Sequence, residues 1–416
     1  MEVLKIATAG SVDDGKSTLI GRILYDTKSM TDDKLEAIER SSKLKGYDYL
    51  DFSLATDGLV AEREQGITID VAHIYFSTAK RSYIIADTPG HIEYTRNMVT
   101  GASTSQAAII LIDARHGVIE QTYRHFFINN LLRVKDVVVA VNKMDLVDFS
   151  EERFNEIKAE FEKLVEKSNF EGRQISYIPV SALKGDNVVF KSTNLDWYKG
   201  ATLMDHLESL DAEDVYNNGK MRLPVQLVIR PKTEDFHDFR GYAGKVYGAD
   251  LSVGDAVLVL PSKTRSTVKD IFFYDKKYGK AGRQSSVTVT LTDNVNVSRG
   301  DMIVKVDEIP HIAKQVTATV SWMDAEKLVP GAKYLLQHGL HKVLAKVQTI
   351  HHKIATDFSG VETGVTEVSM NDIASVTFQL NKAIFFDTFE ENRTNGAFIL
   401  IDQQSNHTAG VGFIEA

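Results

Sequence analysis

The chain shows two successive patterns of hydrophobic and polar positions. From its start to about residue 210, apolar runs of four to six residues alternate with longer segments of helical period. Apolar runs of that length, bounded by turn residues, are typical of strands buried on both faces of a mostly parallel sheet. The strands predicted in this way span residues 4–8, 72–77, 83–86, 107–112, 137–141 and 175–180. Alternation of these strands with helices predicts a doubly wound α/β domain.

One helix of this half can be placed from its first residue. Ser150 is a predicted N-cap, and Glu151 and Glu152 fall in the first turn, where the helix dipole favours acidic side chains. The apolar stripe that follows consists of Phe154, Ile157, Phe161, Leu164 and Val165. This spacing predicts a helix that packs on a core with one face.

After about residue 211 the pattern changes to short segments rich in Val, Leu and Thr, and five of the seven prolines lie there. The strands predicted here span residues 225–229, 256–260 and 286–291. Short strands separated by turn residues favour antiparallel β barrels or sandwiches. A break near residue 309 predicts a division into domains 1–215, 216–308 and 309–416. Within the first domain, the polar and partly helical segment 27–64 is too long for a plain connection, and we expect a functional insertion.

Composition and charge exclude several classes of protein. The 416 residues include no cysteine, which rules out disulfide scaffolds, Cys-ligated zinc, iron–sulfur clusters and thiol nucleophiles. The net charge of −9 disfavours coating of nucleic acid through bulk charge, although a local basic groove stays open. No apolar run approaches the roughly 20 residues of a membrane helix, and no signal peptide pattern is visible. We therefore expect a cytoplasmic protein that binds neither membranes nor nucleic acid.

A phosphate-binding loop is predicted near the start of the chain. Residues 10–17, GSVDDGKS, fit G-x-x-x-x-G-K-[ST] directly after a predicted strand and before a helical run. Backbone N–H groups of such a loop cradle phosphates, and the helix N-terminus adds positive potential. Lys16 is expected to reach the β- and γ-phosphates, and the Ser17 hydroxyl to bind Mg²⁺; the alternative is a chance glycine turn. The predicted nucleotide-binding residues of this segment are Gly10, Ser11, Val12, Asp13, Asp14, Gly15, Lys16, Ser17 and Thr18.

Two further segments predict that the base is guanine. The tetrapeptide after the strand at 137–141 is Asn142, Lys143, Met144 and Asp145. A bidentate carboxylate at Asp145 suits the paired N–H donors of guanine, which adenine lacks, while Asn142 holds the loop and the Lys143 stem packs on the ring. The tripeptide after the next strand is Ser181, Ala182 and Leu183, whose backbone N–H groups can reach guanine O6. A polar turn is the alternative for the tetrapeptide alone; both segments together indicate GTP and GDP as ligands.

The residues for hydrolysis are predicted in two segments. After the strand at 83–86 come Asp87, Thr88, Pro89, Gly90 and His91. Asp87 can bind Mg²⁺ through water, the Gly90 N–H can sense the γ-phosphate, and His91 can orient the attacking water, the part that glutamine plays in other GTPases. Thr68, at the end of the sequence REQGIT, can supply a second hydroxyl to Mg²⁺ when GTP is bound. The alternatives are a structural histidine and a β-branched residue that begins a strand. The predicted catalytic residues are thus His91, Lys16 and Thr68, and the metal ligands are Ser17, Thr68 and Asp87.

These motifs, in this order and in front of two β domains, resemble the translation-factor class of GTPases over essentially the whole chain. The class includes elongation factor Tu and the eukaryotic and archaeal factors that deliver aminoacyl-tRNA. The resemblance implies an α/β P-loop GTPase domain with a mostly parallel, doubly wound sheet, followed by two antiparallel β-barrel domains. It also implies that Val12 and Ile67 form the apolar pair that flanks the catalytic histidine.

Finer details distinguish this chain from the delivery factors. Those factors usually have histidine where this chain has Ser11, and Gln-Thr-Arg-Glu-His where residues 121–125 read QTYRH. The segments 57–70, 86–91, 94–98 and 239–244 are similar instead to the GTPase large-subunit family of bacterial heterodimeric sulfate adenylyltransferase.

The resemblance to this branch implies a partner and a coupled reaction. A separate, smaller subunit would transfer the adenylyl group of ATP to sulfate, giving adenosine 5′-phosphosulfate and pyrophosphate, and this chain would couple GTP hydrolysis to that unfavourable reaction. One P-loop and one base motif imply a single guanine site, and with no second P-loop we expect no fused kinase activity. No arginine finger is assignable, so slow basal hydrolysis is expected. The alternatives are a translation factor that carries aminoacyl-tRNA and a GTP-dependent scaffold that does not hydrolyse.

Overall fold

The computed structural model describes residues 3–44, 46, 50–52, 71–90, 95–168, 170, 172–211, 219–231 and 239–415. The chain forms two compact units. The first comprises Met1–Asp214 and Ala355–Gly360, and the second comprises Val215–Ile354 and Val361–Ala416. The domain boundaries inferred from the sequence at residues 215 and 308 stay predictions.

The first unit alternates strands and helices. Its strands are β1 Val3–Ala9, β2 Ala72–Ser77, β3 Ser82–Asp87, β4 Ala107–Asp113, β5 Asp136–Asn142 and β6 Gln174–Pro179. Its helices are α1 Lys16–Asp26, α2 Asp32–Leu44, α3 Thr95–Ala102, α4 Glu120–Leu131, α5 Glu151–Lys167 and α6 Leu203–Ser209. These bounds confirm the six strands predicted from the sequence, each to within one residue at either end. Helix α2 also confirms the helical pattern at the start of the predicted insertion 27–64.

The strands form one six-stranded sheet in the order β2-β3-β1-β4-β5-β6. The five strands other than β2 are parallel, and β4 and β5 are buried along their whole length. The expectation of burial on both faces is wrong for β2, which pairs antiparallel to β3 at the sheet edge and leaves Tyr75 69% exposed. An antiparallel edge strand can keep one face in water, because no crossover helix covers it.

The register of this sheet brings polar residues to one edge. Thr8 at the end of β1 pairs with Asp87 at the end of β3, and Asp113 at the end of β4 pairs with Asn142 at the end of β5. Loops at the carboxyl ends of parallel strands are where ligands bind in open α/β sheets. The sheet therefore collects the predicted nucleotide-binding segments along a single edge.

Helix α5 begins as its sequence predicts. The Ser150 side chain accepts a hydrogen bond of 3.2 Å from the Arg153 backbone N–H, which satisfies one of the unpaired donors at the helix start. The stripe faces the core: Phe154, Ile157, Phe161 and Leu164 are buried and Val165 is half-buried.

The second unit contains two closed antiparallel barrels. The first is built from β7 Arg222–Ile229, β8 Gly241–Lys245, β10 Ala256–Leu260, β11 Thr264–Phe273, β14 Ser286–Leu291 and β15 Met302–Lys305. Pairing of β10 with β11 closes the order β10-β15-β7-β8-β14-β11, and β12 Lys276–Tyr278 continues the sheet beyond β11. A separate two-stranded pair joins β9 Leu251–Ser252 to β13 Lys280–Ala281. The structure thus decides between the barrels and the sandwiches that the sequence left open.

The second barrel starts at His311, and five residues separate it from the end of β15 at Lys305. It is built from β16 His311–Trp322, β17 Lys333–His338, β18 His341–Ile354, β20 Ile373–Phe386, β21 Ala397–Ile401 and β22 Thr408–Ile414. Pairing of β17 with β18 closes the barrel, and β19 Val361–Thr363 pairs antiparallel with the last residues of β18. Each barrel has its own apolar core, centred on residues such as Val257 and Ile271 in the first and Trp322 and Phe378 in the second.

A buried ion pair joins the two barrels. The Arg222 guanidinium on β7 donates to both carboxylate oxygens of Asp387, which follows β20, at 3.0 and 2.7 Å. Both side chains are 1% exposed, and Asn395 Nδ2 donates to the same carboxylate at 2.8 Å. Bidentate geometry and a third donor satisfy the buried charge, which would otherwise be costly.

In the part of the chain that the structure describes, no helix is long and apolar enough to cross a membrane.

Candidate functional site

The loop between β1 and α1 has the backbone geometry that a phosphate cradle needs. Gly15 precedes the first residue of α1 with φ of +95°, a conformation that favours glycine. A Cβ at this position would lie 2.6 Å from Asn142 Nδ2. Gly15 therefore serves both the turn into the helix and the close approach of Asn142. Ser17 and Thr18 lie half-buried in the first turn of α1, and Val12 is half-buried in the loop.

The Lys16 ammonium lies inside this loop. Its Nζ donates to the carbonyl oxygens of Gly10 at 2.7 Å and Ser11 at 3.2 Å, and the residue is 7% exposed. Burial lowers the pKa of Lys16 below its usual value, although the nearby carboxylates of Asp87 and Asp14 oppose that shift. The loop carbonyls thus hold the cation within the predicted phosphate-binding loop.

Asp14 stabilises the same loop through a hydrogen bond inside it. Its Oδ2 accepts a hydrogen bond of 2.6 Å from the Ser11 N–H, and the residue is 6% exposed. Burial raises the pKa of this carboxyl above its usual value, against the opposing hydrogen bond from Ser11 and the charge of Lys16. Asp13, by contrast, is exposed with φ of +68°.

The segment after β3 lies against the phosphate loop. Asp87 is 2% exposed, and its Oδ1 accepts from Thr8 Oγ1 at 3.1 Å. The Thr88 hydroxyl donates to the Thr8 carbonyl at 2.5 Å, and Pro89 is buried. A Cβ at Gly90 would lie 2.4 Å from the Gly10 carbonyl oxygen and 2.6 Å from Lys16 Nζ. Only glycine fits at residue 90 without displacing the loop or the lysine.

Three predicted residues lie outside the described part of the chain: His91, Thr68 and Ile67. Their roles in orienting water, binding Mg²⁺ and flanking the histidine stay predictions.

Asn142 joins the two segments predicted to bind the base to the loop between β1 and α1. Its Nδ2 donates to the Asp14 carbonyl at 2.7 Å, and its Oδ1 accepts from the Ala182 N–H at 2.9 Å. The side chain is 1% exposed, so both hydrogen bonds are shielded from water. One amide therefore links three loops that are far apart in the sequence.

Lys143 and Asp145 are also positioned by neighbours from other loops. Lys143, at φ of +62°, donates to the Asp13 carbonyl and forms an ion pair of 2.9 Å with Asp113. The Ser181 hydroxyl donates to Asp145 Oδ1 at 2.7 Å, which fixes the carboxylate predicted to read guanine. Met144, Ser181 and Ala182 are buried, while Leu183 is half-buried.

The sequence analysis did not identify Asp113 and Arg115 as part of this site. Arg115 donates to both Asp113 oxygens, at 3.0 Å from Nε and 2.7 Å from Nη2, while Lys143 approaches the same carboxylate. Burial alone would raise the pKa of Asp113, but the hydrogen bonds from Arg115 and Lys143 outweigh it and hold the pKa well below its usual value. Asp113 thereby anchors Lys143, the lysine of the segment predicted to bind the base. Its place at the end of a buried apolar run, level with Asn142 in the neighbouring strand, was the available signal.

A buried histidine also lies near the phosphate loop. His125 on α4 is 4% exposed, and its Nδ1 has no hydrogen-bond partner. Burial, helped by the positive charge of Lys16, lowers the pKa of His125 to about 3. This imidazole is therefore neutral at physiological pH.

Comparisons with known proteins place this geometry among GTPases. The model of the elongation factor Tu GTP binding domain matches residues 1–214, and that of the GTP-eEF1A C-terminal domain-like family matches residues 315–415. Sulfate adenylyltransferase subunit 1 of Colwellia psychrerythraea is 48% identical over 416 residues, covering 99% of this chain and 88% of the relative. The protein of the same name from Bacteroides fragilis is 48% identical, with coverage of 99% and 86%. The bifunctional enzyme CysN/CysC of Mycobacterium tuberculosis is 44% identical over 413 residues, with coverage of 99% and 67%.

Proposed function

Since the chain belongs to the family of sulfate adenylyltransferase subunit 1, we propose that it is the GTP-hydrolysing subunit of that enzyme in sulfate assimilation. The reaction it supports forms adenosine 5′-phosphosulfate and pyrophosphate from ATP and sulfate. A separate small subunit carries out adenylyl transfer, and the two form a heterodimer in the cytoplasm, where ATP and GTP are available. The names of the relatives favour this function over delivery of aminoacyl-tRNA.

The observation that carries the guanine-nucleotide part is the convergence of three loops through Asn142. The phosphate loop, the Asn142–Asp145 segment and the Ser181–Leu183 segment share buried hydrogen bonds of 2.7 and 2.9 Å. In this arrangement Asp145 reads the two N–H donors of guanine, and backbone N–H groups of the phosphate loop bind the α- and β-phosphates. Adenine lacks that donor pair, so the site selects GTP.

The oxygen donors near Lys16 fit a Mg²⁺ ion. The Asp87 carboxylate is 2% exposed and close enough to Lys16 to affect its pKa, and Ser17 lies in the first turn of α1. Carboxylate and hydroxyl oxygens, completed by water and phosphate, are the ligands that Mg²⁺ takes. Ser17, Asp87 and Thr68 would hold the ion, which supplies neutralisation of phosphate charge.

Lys16 stabilises negative charge on the γ-phosphate as the bond to the leaving diphosphate breaks. To do so, the ammonium exchanges the Gly10 and Ser11 carbonyl oxygens for phosphate oxygens. The Gly90 N–H senses the γ-phosphate, and His91, the next residue in the sequence, orients the attacking water. The contact distances that confine residue 90 to glycine support this assignment. Because the sequence assigns no arginine of this chain to the γ-phosphate, we expect slow hydrolysis until the partner subunit engages.

The experiment compares steady-state GTP hydrolysis by the chain alone and with the purified adenylyl-transferring subunit, ATP and sulfate. We expect slow turnover alone, several-fold stimulation by the complete mixture, and loss of both in His91→Ala while GTP still binds. Stimulation by charged tRNA and ribosomes instead of the subunit would replace this function with a translational one. Binding of GTP without any turnover would indicate a scaffold.

A further inference from the structure

The hairpin formed by β11 and β12 in the first barrel lies in a positively charged stretch of the chain. The hairpin itself, residues 264–278, has four lysine or arginine residues and two aspartates, and further cationic residues lie on either side of it. Residues 263–283 contain seven lysine or arginine residues and two aspartates, a net charge of +5 in a chain whose net charge is −9. The cationic residues are Lys263, Arg265, Lys269, Lys276, Lys277, Lys280 and Arg283. Internal pairing neutralises part of this charge, since Lys277 contacts Asp270 at 2.9 Å and Lys280 contacts Asp250 at 2.6 Å.

Three aromatic rings are exposed at the same place. Tyr274 is 91% exposed, Tyr278 47% and Phe273 42%. The rings pack edge to face, with centroids of Phe273 and Tyr274 5.0 Å apart and those of Phe273 and Tyr278 6.3 Å apart. Exposed aromatic clusters among basic residues are typical of protein contact surfaces, where aromatic side chains supply most of the binding energy. We call Phe273, Tyr274, Lys276 and Tyr278 the hairpin patch.

Tyr274, in the turn of this hairpin, is not a residue that stabilises such a turn. Tyr274 lies between the end of β11 and the start of β12 with φ of +55°. Tight hairpin turns favour Asn, Asp or Gly at such positions, because a bulky side chain at positive φ is strained. Strain of this kind is kept where a side chain has a binding role. An almost fully exposed tyrosine contributes no burial to offset that strain.

The base of the hairpin is held firmly. Phe272 packs against Phe239 with ring centroids 5.6 Å apart, and the Lys277 ammonium lies 5.5 Å from the Phe272 ring. Phe239 belongs to the segment 239–244 that the sequence analysis singled out. A Cβ on Gly241 would lie 2.8 Å from the Phe239 ring, so the segment needs glycine beside this aromatic pair. These contacts tie the base of the hairpin to the neighbouring segment.

Protection of a sheet edge explains only part of this arrangement. Strand β12 is the last strand of its sheet, and lysines on edge strands prevent pairing with other chains. That role accounts for Lys276 and Lys277. Edge protection does not account for the exposed aromatic rings, because such rings favour association with other chains.

We propose that the hairpin patch is the docking surface for an acidic face of the adenylyl-transferring partner subunit. This inference rests on the proposed function, which requires such a partner. A protein partner fits better than single-stranded nucleic acid, since nucleic acid is bound in grooves by rings that are open for stacking. Here the rings meet edge to face at the end of a hairpin, rather than lining a groove with parallel faces. The excess of positive charge specifies the acidic character of the partner's face.

Two variants and one control test the surface. Tyr274→Asn removes the ring and places a favoured turn residue at positive φ, so the chain should melt at the same or a higher temperature. Lys276→Glu reverses a charge of the patch. The control is Lys333→Glu, which reverses an exposed lysine on β17 of the second barrel.

The measurement is the affinity of each purified chain for the purified adenylyl-transferring subunit, by calorimetry at low and high salt. We expect the unmodified chain to bind more weakly at high salt, and Tyr274→Asn and Lys276→Glu each to bind at least about tenfold more weakly. GTP affinity should be unchanged in all variants, and Lys333→Glu should bind the subunit normally.

The outcomes separate this proposal from the proposed function. If the unmodified chain binds the subunit and both variants bind equally well, the docking surface is wrong while the function stands. If the unmodified chain neither binds the subunit nor responds to it in GTP hydrolysis, both fail. A dimer of this chain that Tyr274→Asn dissolves, or binding of a single-stranded RNA that the variants lose, with unchanged subunit binding, would assign the patch to another partner and overturn the proposal.

Discussion

Replacement of Asn142 by alanine removes the amide that links three loops of the nucleotide site. The side chain is 1% exposed and makes buried hydrogen bonds of 2.7 Å to the Asp14 carbonyl and 2.9 Å from the Ala182 N–H. Two buried backbone groups lose their partners, each at a cost of about 1–3 kcal/mol. We therefore expect the free energy of unfolding to fall by about 2–6 kcal/mol. GTP and GDP need all three loops in register, and if about 1.4–2.8 kcal/mol of this loss appears in binding, Kd rises about 10- to 100-fold.

The assay pairs urea unfolding with titration of fluorescent GTP and GDP. The matched control is Asn392→Ala in the second barrel, which removes an amide that is 0% exposed and accepts from the backbone N–H groups of Thr394 and Asn395, each at 3.1 Å. Both variants should lose stability, and only Asn142→Ala should lose nucleotide affinity. Equal nucleotide affinity in the two variants would refute the reasoning that this amide organises the site.

Four other substitutions test separate parts of the account. Asp145→Asn should lower GTP affinity by at least about tenfold and shift preference toward xanthosine triphosphate; unchanged selectivity in a competition assay would remove the base-reading role. Gly90→Ala should abolish GTP hydrolysis, because its Cβ would lie 2.4 Å from the Gly10 carbonyl oxygen, and normal turnover would contradict that crowding. Asp387→Ala should destabilise the second unit by about 3–5 kcal/mol, since it leaves the buried Arg222 guanidinium without its carboxylate partner. Thermal unfolding like that of the unmodified chain would show that the pair is dispensable. Asp113→Asn should lower stability at neutral pH, because the depressed pKa of this carboxyl means that its charged form stabilises the folded state above pH 3.8. In urea unfolding, this deficit should shrink as the pH falls below 3.8 toward the depressed pKa of the folded state; a deficit that does not change with pH would rule out this charge.

The loops of the nucleotide site were predictable because their positions follow from strand ends. A buried strand can be recognised by its apolar run. The residue that follows the run must lie at the carboxyl end of the strand. Asn142, Asp87 and the phosphate loop were placed by that rule together with their sequence motifs. The start of α5 was equally local, since Ser150 and its first turn carry the signal for it.

Contacts between distant segments could not be predicted from such signals. The Arg222–Asp387 pair joins residues 165 positions apart, and nothing in the local sequence of either indicates the other. Asp113 and Arg115 follow a predicted strand, and both were missed because charged residues after a strand have many unrelated uses. The exposure of β2 also depended on its position in the sheet, which its apolar pattern does not reveal.

The most direct test of the central claim follows adenosine 5′-phosphosulfate over time in a mixture of this chain, the adenylyl-transferring subunit, ATP and sulfate. If GTP hydrolysis by this chain drives the reaction, adding GTP should raise the product beyond the level reached without it, and a non-hydrolysable GTP analogue should not. Product that stops at the same level with GTP, the analogue or neither would contradict the coupling.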